Sequence, residues 1–379
     1  MPSQEVEPRK IKNLRIAILG TRGIPNNYGG FEQFAEYLSV GLSDRGHDVT
    51  VFNSKEHPFE ADQFKGVKII KKYCPESKLG SFAHFIYDWV CARHVSKENF
   101  DIIYNAGYGS AAPSIWFYSK KCKSIWVTNM DGLEWKREKW SSPIKWLTKK
   151  MEALAVKHSN NLISDNIGIQ TYLKNFYNAE SKFLAYGAEV NKNVSDEFLK
   201  LFKLKKKDYY LIVARLEPEN SVEMILDGYV ESDSKIQFIV VGNYKTRYGR
   251  YLKSKFAHND KIRFIGGIYE KEKIDSIRKY ASLYFHGHTV GGTNPSLLEA
   301  MGLGCDIIAR DNEFNRTVLK DGGRYFTSSS DIKNYIKLSK NYFGEECRIR
   351  CVDLINKNYN WELIIDKHEQ YFLKLTTCR

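Results

Sequence analysis

One feature constrains this chain more than any other: short apolar runs alternate with amphipathic stretches over half its length, lapse, and then start again. Leu14 to Gly20 (LRIAILG) is a short apolar run closed by glycine, as a buried parallel strand should be. Phe31, Phe34, Ala35, Leu38 and Leu42 follow at helical spacing, with Gly46 just past the end. Further strands are predicted at 48–53, 67–73, 100–105, 124–129, 161–166 and 182–187, with helices between most of them, notably 82–97 and 143–158. The rhythm lapses over 188–207, where a Lys-rich stretch ends in LKLKKKD. It resumes with strands at 209–214, 236–242, 262–266, 283–286 and 306–309, and helices at 221–232, 270–281, 295–303 and 329–342. A repeated βαβ rhythm calls for parallel strands joined by crossover helices. The expectation is an α/β chain of two Rossmann-like, doubly wound domains, 1–190 and 191–360, with a central cleft. A last segment, 361–379, carries an amphipathic helix from Trp361 to Leu375 that is expected to pack back on the first domain. At 379 residues the chain exceeds the size at which one core normally splits.

No window reaches the roughly 18 apolar residues of a membrane-spanning helix. The polar stretch Met1 to Lys12 lacks a signal-peptide core, so a soluble, cytoplasmic protein is expected. The seven cysteines, at 74, 91, 122, 305, 347, 351 and 378, are scattered. Only Cys347 and Cys351 are close, and no His stands beside them, which argues against a disulfide framework or a structural zinc site. The net charge of +13 calls for an anionic partner: nucleotide phosphates, nucleic acid or an acidic membrane surface. No nucleic-acid motif accompanies it. An aromatic fraction of 14% adds to the membrane reading, although an AT-rich genome favouring Lys, Asn, Tyr and Phe gives the same composition.

In parallel α/β sheets, ligands bind beyond the carboxyl ends of the strands, so the loops there are the candidates. The first is Gly20 to Gly30, where Gly29 and Gly30 open a helix and offer backbone amides to a phosphate or sugar, with Arg22 and Tyr28 nearby. Its spacing is not G-x-G-x-x-G, and Asn53 and Ser54 stand where a ribose-binding acid would be, which counts against a nicotinamide enzyme. The second is NMDGLEWKR, 129–137: Asp131 there either polarises a hydroxyl or supports developing positive charge on a sugar, or caps a helix with Glu134. The third is RLEPEN, 215–220, whose Arg215 either grips a diphosphate or makes a surface ion pair. The fourth, HGHTVGGTNPSLLEAMG, runs from a strand into a helix. Gly292, Thr293, Asn294, Pro295 and Ser296 form an amide-bearing turn, and Glu299 lies on the first turns of that helix. His286 and His288, two apart on a strand end, point to opposite faces, so a core His and a cleft His are expected rather than a metal pair.

Taken together, GTRGIPNNYGGFEQFAEYL, TNMDGLEWKREKW, RLEPEN and HGHTVGGTNPSLLEAM make the chain resemble, over nearly its whole length, the retaining GT-B glycosyltransferases of family four, and within them a bacterial subgroup of capsule and O-antigen rhamnosyltransferases. The resemblance implies that Arg215 holds the donor diphosphate and Asp131 stands near the transferred sugar. Asn294 to Ser296, with Gly292, Thr293 and His288, would meet phosphate and sugar, and Glu299 the ribose. Gly29 and Gly30 would lie against the donor phosphates or the acceptor pocket, while Asn243 and the stretch Gly266 to Tyr269, with Gly267 and Tyr269, would border the base. Arg22, Tyr28, Glu134 and Arg137 fall on the acceptor side. It also implies a nucleotide-diphosphate sugar donor (dTDP-rhamnose first), a lipid-linked saccharide acceptor, and no metal or other cofactor. Two residues depart from the larger family. Gly291 stands where a first carboxylate is usual, and Asn220 where a Lys follows the diphosphate Arg, with Lys245 or Arg247 as possible substitutes. The loss at Gly291 fits a deoxy sugar donor, and keeps open a non-catalytic sugar-nucleotide-binding protein. A sugar-nucleotide epimerase of the same fold is the other alternative. Trp135, Trp140 and Trp146 among Lys136, Arg137, Lys139, Lys145, Lys149 and Lys150 read either as a bilayer-facing surface or as a solvated helix over core tryptophans.

Overall fold

The computed structural model describes residues 12–342 and 344–377; Cys378 lies outside them. The first sheet has eight strands: β1 Arg15–Leu19, β2 Asp48–Ser54, β3 Gln63–Phe64, β4 Val67–Lys72, β5 Ile102–Asn105, β6 Ile125–Asn129, β7 Asn161–Ser164 and β8 Lys182–Phe183. Their order is β3-β4-β2-β1-β5-β6-β7-β8, parallel except for β3, which runs antiparallel to β4. The second sheet has β9 Tyr209–Val213, β10 Gln237–Val241, β11 Ile262–Gly266, β12 Leu283–His286, β13 Ile307–Arg310 and β14 Arg324–Phe326. Its order is β11-β10-β9-β12-β13-β14, parallel throughout. Strand order reverses at β1/β5 and at β9/β12, and a doubly wound sheet opens its ligand crevice at those points. Each sheet with its crossover helices makes a Rossmann-like, doubly wound domain, as the expected fold requires.

Strands covered on both faces need apolar side chains throughout, and Ile16, Ala17 and Ile18 of β1 are fully buried. Two strands escaped the periodicity because they are so short. β3 is made by a turn at Lys65 and Gly66, both at positive φ (45° and 81°), and β14 follows Gly322 and Gly323. The strand expected over 182–187 keeps only Lys182–Phe183. Beyond it the chain leaves the sheet, and the Ala188 N–H donates to the Tyr359 carbonyl at 2.7 Å.

The helix Trp361–Thr377 lies along the helix Gly30–Asp44 of the first domain. Trp361 stacks on Tyr37 with ring centres 4.4 Å apart, His368 packs on Phe34, and Arg45 meets Glu362, Asp366 and Glu369. Gly41 lets this crossing pack closely, since a Cβ there would stand 2.4 Å from Ile365 Cδ1 and make that side chain shift. One apolar cluster runs from β1 through Phe34, Trp361 and Phe372 into Tyr209 of β9 and Ile307 of β13, so the two domains share packing.

Candidate functional site

The loop after β1 is held mainly by its own backbone amides. Arg22 N–H donates to Glu32 Oε1 (2.9 Å), Ile24 N–H to Asn53 Oδ1 (3.1 Å) and Asn26 N–H to Glu36 Oε2 (2.7 Å), while Tyr28 and Gly29 N–H donate to Asn26 Oδ1. Gly30 faces the other domain: a Cβ there would stand 3.1 Å from the Pro295 ring. The Arg22 guanidinium is bonded to Glu76 and lies 3.3 Å from His84 Nε2, with the exposed Tyr28 ring 3.5 Å away. Arg22, with Tyr28 against it, thus meets the segment after β4.

Asp131 follows β6 and is half-buried. Desolvation, with the negative charge of Glu134 adding to it, pushes its pKa up to about 7; Arg137 and Arg215 pull the other way. Arg137 ties this loop to the second domain, meeting Glu134 at 2.7 Å and buried Glu219 at 3.4 Å. Burial works against the Arg137 charge, but Glu134 and Glu219 outweigh it and hold its pKa above the ordinary guanidinium value.

Arg215, just past β9, is exposed to solvent in a concave setting, where desolvation and the Arg137 charge hold its pKa below the usual value. Asn220 has two local partners: its Nδ2 donates to the Arg215 carbonyl (2.7 Å) and its Oδ1 lies 2.7 Å from His288 Nδ1. Desolvation, His286 and the nearby arginines keep His288 neutral. His286 is the core histidine of the two, and its Nε2 has no hydrogen-bond partner. The turn 291–296 meets the first domain directly. Gly292 N–H donates to the Asp131 carbonyl (3.1 Å), Thr293 N–H to Asp165 Oδ2 (3.2 Å) and Ser296 N–H to Asn294 Oδ1 (2.9 Å), the last capping the helix Pro295–Gly302. In this conformation three of the amides expected to meet phosphate have protein partners. Glu299 is held by Gln33 of the first domain at 2.9 Å and by buried Arg278 at 2.8 Å. Asn243, Gly267 and Tyr269, beyond β10 and β11, are exposed.

Three further residues carry the site's electrostatics. Asp165, after β7, is buried. Burial and then Asp131 raise its pKa well above the carboxylate range, and Thr293 Oγ1 donates to its carbonyl. ISDN offers no periodic signal for it. Lys139 has its pKa lowered by desolvation and by the neighbouring charges of Arg137 and Arg215, so it stands in the same basic group. Buried Glu152 accepts from Tyr172 Oη (2.6 Å), Tyr177 Oη (2.7 Å), Lys149 Nζ (2.9 Å) and Trp135 Nε1 (3.1 Å). Tyr108, which also reaches Glu152, donates to the Gly132 carbonyl at 2.7 Å. Trp135 and Trp140 are therefore half-buried, and only Trp146 of that expected surface trio is exposed. Buried polar atoms without a partner gather at the strand ends facing the other domain: Thr21 Oγ1, Tyr104 Oη, Asn105 Nδ2, Asn129 Oδ1 and Asp165 Oδ1.

Comparison with known proteins fits this geometry. Residues 13–189 match a domain of unknown function (DUF1972), and residues 194–361 match the family glycosyl transferases group 1. An uncharacterized glycosyltransferase of Methanocaldococcus jannaschii is 24% identical over 96% of this chain and 100% of its own length. Among solved structures, sucrose-phosphate synthase from Thermosynechococcus elongatus superimposes with a TM-score of 0.79 at 16% identity, covering 97% of this chain and 100% of that one. HepE from Anabaena, in complex with UDP and glucose, gives 0.72 at 16% identity, covering 95% and 99%. Residues 194–361, with Arg215, the 291–296 turn and Glu299, thus match the group 1 glycosyl transferase family, and the chain as a whole has the GT-B fold of these solved structures.

Proposed function

We propose that the chain transfers a hexose or deoxyhexose, with L-rhamnose from dTDP-rhamnose as the first candidate, to a lipid-linked saccharide in bacterial surface polysaccharide synthesis, with retained configuration and no metal. One observation carries the reading: Asp131, Lys139 and Arg215 each feel the charge of Arg137, and the Asp131 carbonyl accepts from Gly292 N–H in the turn that leads into the helix Pro295–Gly302. A diphosphate leaving group needs fixed positive charge, which these residues provide, and oriented amides, for which the Gly292 and Thr293 N–H groups would have to leave Asp131 and Asp165. Asp131 assists the acceptor hydroxyl or the developing positive charge on the sugar, and Glu299 turns from Gln33 to the ribose. The Anabaena protein's complex with UDP and glucose supports a nucleotide-diphosphate donor.

Donor binding is tested by thermal shift across a panel of nucleotide sugars, followed by product analysis with a lipid-diphosphate saccharide. Transfer with retention, lost in both Arg215→Ala and Glu299→Gln, is the expected result. Turnover of the nucleotide sugar without acceptor would move the chain to the epimerases, and near-normal activity in both variants would overturn the site.

A further inference from the structure

The helix Ala83–Val95 is apolar on two faces. Ala83, Tyr87, Cys91, Ala92 and Val95 are buried against the first sheet. The opposite stripe, Phe82, Ile86, Trp89 and Arg93, recurs at helical spacing and is exposed, Phe82 at 67%. A helix in water normally turns polar residues outward, so an apolar outer stripe needs a cover. The stripe continues onto the next helix, Ala112–Tyr118, where the Trp89 ring lies 5.1 Å from Phe117 and Trp116 is 54% exposed. At its other end it reaches the acceptor side of the cleft, because Glu76 and His84, which flank exposed Leu79 and Phe82, are the side chains that contact Arg22.

Charge selects what covers it. Segments 77–97 and 110–123 together contain one acid, Asp88, which is buried. Exposed Lys78, Arg93, Lys97, Lys120 and Lys121 surround the aromatic stripe. A second copy docking face to face would set this cationic rim against itself. An anionic bilayer satisfies both parts: Trp and Phe sit at headgroup depth, and the basic rim meets acidic lipid.

We infer that Phe82, Ile86, Trp89, Trp116 and Phe117, rimmed by Arg93, Lys97, Lys120 and Lys121, form the surface by which this chain docks on an anionic membrane, next to Arg22 and Tyr28. The inference deepens the proposed use of a lipid-linked acceptor and rests on that reading. It places the membrane face on these two helices and not on the half-buried Trp135 and Trp140.

The test is co-sedimentation of the full chain with phosphatidylcholine vesicles with and without phosphatidylglycerol. Sedimentation velocity and thermal melting run alongside. Binding should require phosphatidylglycerol and fall with salt. The variant Phe82→Ser/Trp89→Ser/Trp116→Ser should lose about tenfold or more in partitioning, and Arg93→Glu/Lys120→Glu/Lys121→Glu on the order of a hundredfold, both with unchanged melting. Trp146→Ser should bind as the parent chain does. Absence of vesicle binding at low salt, equal binding by the triple aromatic variant, or a parent dimer that this variant makes monomeric would each overturn the inference. Transfer to a short-chain, water-soluble acceptor, measured on the same variants, keeps the two claims apart: activity there without vesicle binding refutes only the docking surface.

Discussion

Asp165 in the first domain accepts a hydrogen bond from the Thr293 N–H of the second at 3.2 Å, while its other oxygen has no partner. Burial raises its pKa and so favours the protonated carboxyl, which keeps the shape and acceptor of an amide. Asp165→Asn should therefore stay close to the parent in stability. Asp165→Ala leaves Thr293 N–H unpaired and should cost about 1–3 kcal/mol. Gly292→Ala should cost at least as much, since its Cβ would stand 1.7 Å from Asp165 Oδ1 and force the domains apart. Denaturant unfolding of the three variants checks the order.

Asp131 gives a pH dependence whose direction is fixed. Its pKa in the folded chain is about 7 against an ordinary aspartate value of 3.8, so the folded state binds the proton more tightly than the unfolded chain. The stability this contributes is fully present below the unfolded value and is lost as pH rises through the folded one. Melting of the ligand-free protein should therefore decline between about pH 4 and pH 7. Asp131→Asn should make that decline shallower, with Asp165, Asp88 and the other buried acids shifted in the same direction contributing what remains. An unchanged slope in Asp131→Asn would refute the assignment.

The missing Lys after Arg215 makes a third prediction. Asn220 takes its position and is bonded to the Arg215 carbonyl and to His288, so it supplies no charge. Lys139 of the first domain, close enough to feel the Arg137 and Arg215 charges, is proposed to supply it instead. Lys139→Ala should lower kcat/KM for the donor roughly tenfold to a hundredfold, the worth of one charged hydrogen bond. Lys245→Ala, at an exposed position beyond β10, should change it far less. Steady-state kinetics on the two variants separates these cases.

Much of this was legible in the sequence because buried parallel strands leave period and composition signals. The strand runs LRIAIL and YYLIV and the turn GGTNPS announce themselves. What stayed hidden depends on tertiary partners. Nothing in ISDN shows that Asp165 meets Thr293, 128 residues away, and nothing near Lys139 shows that Arg215 stands beside it. The tryptophans of 135–146 stayed ambiguous for the same reason: spacing allows either a bilayer-facing surface or core tryptophans, and only the fold reveals Glu152 bonded to Trp135.

Glu152 makes the last prediction. It is 1% exposed and accepts from two tyrosines, a tryptophan and Lys149, on three separate stretches of chain. Through Trp135, and through Tyr108 on the Gly132 carbonyl, it fixes the path of the loop that carries Asp131. Glu152→Ala removes the shared acceptor and leaves a cation and three donors without it, a loss on the order of 3–5 kcal/mol. Glu152→Gln keeps the volume and one acceptor oxygen, and should cost less. The functional part is separable: in Glu152→Gln, well below its melting point, kcat and donor kcat/KM should both fall, because the loop that Glu152 holds through Trp135 carries Asp131, Arg137 and Lys139. A fall in stability with unchanged kcat would reduce Glu152 to a packing residue.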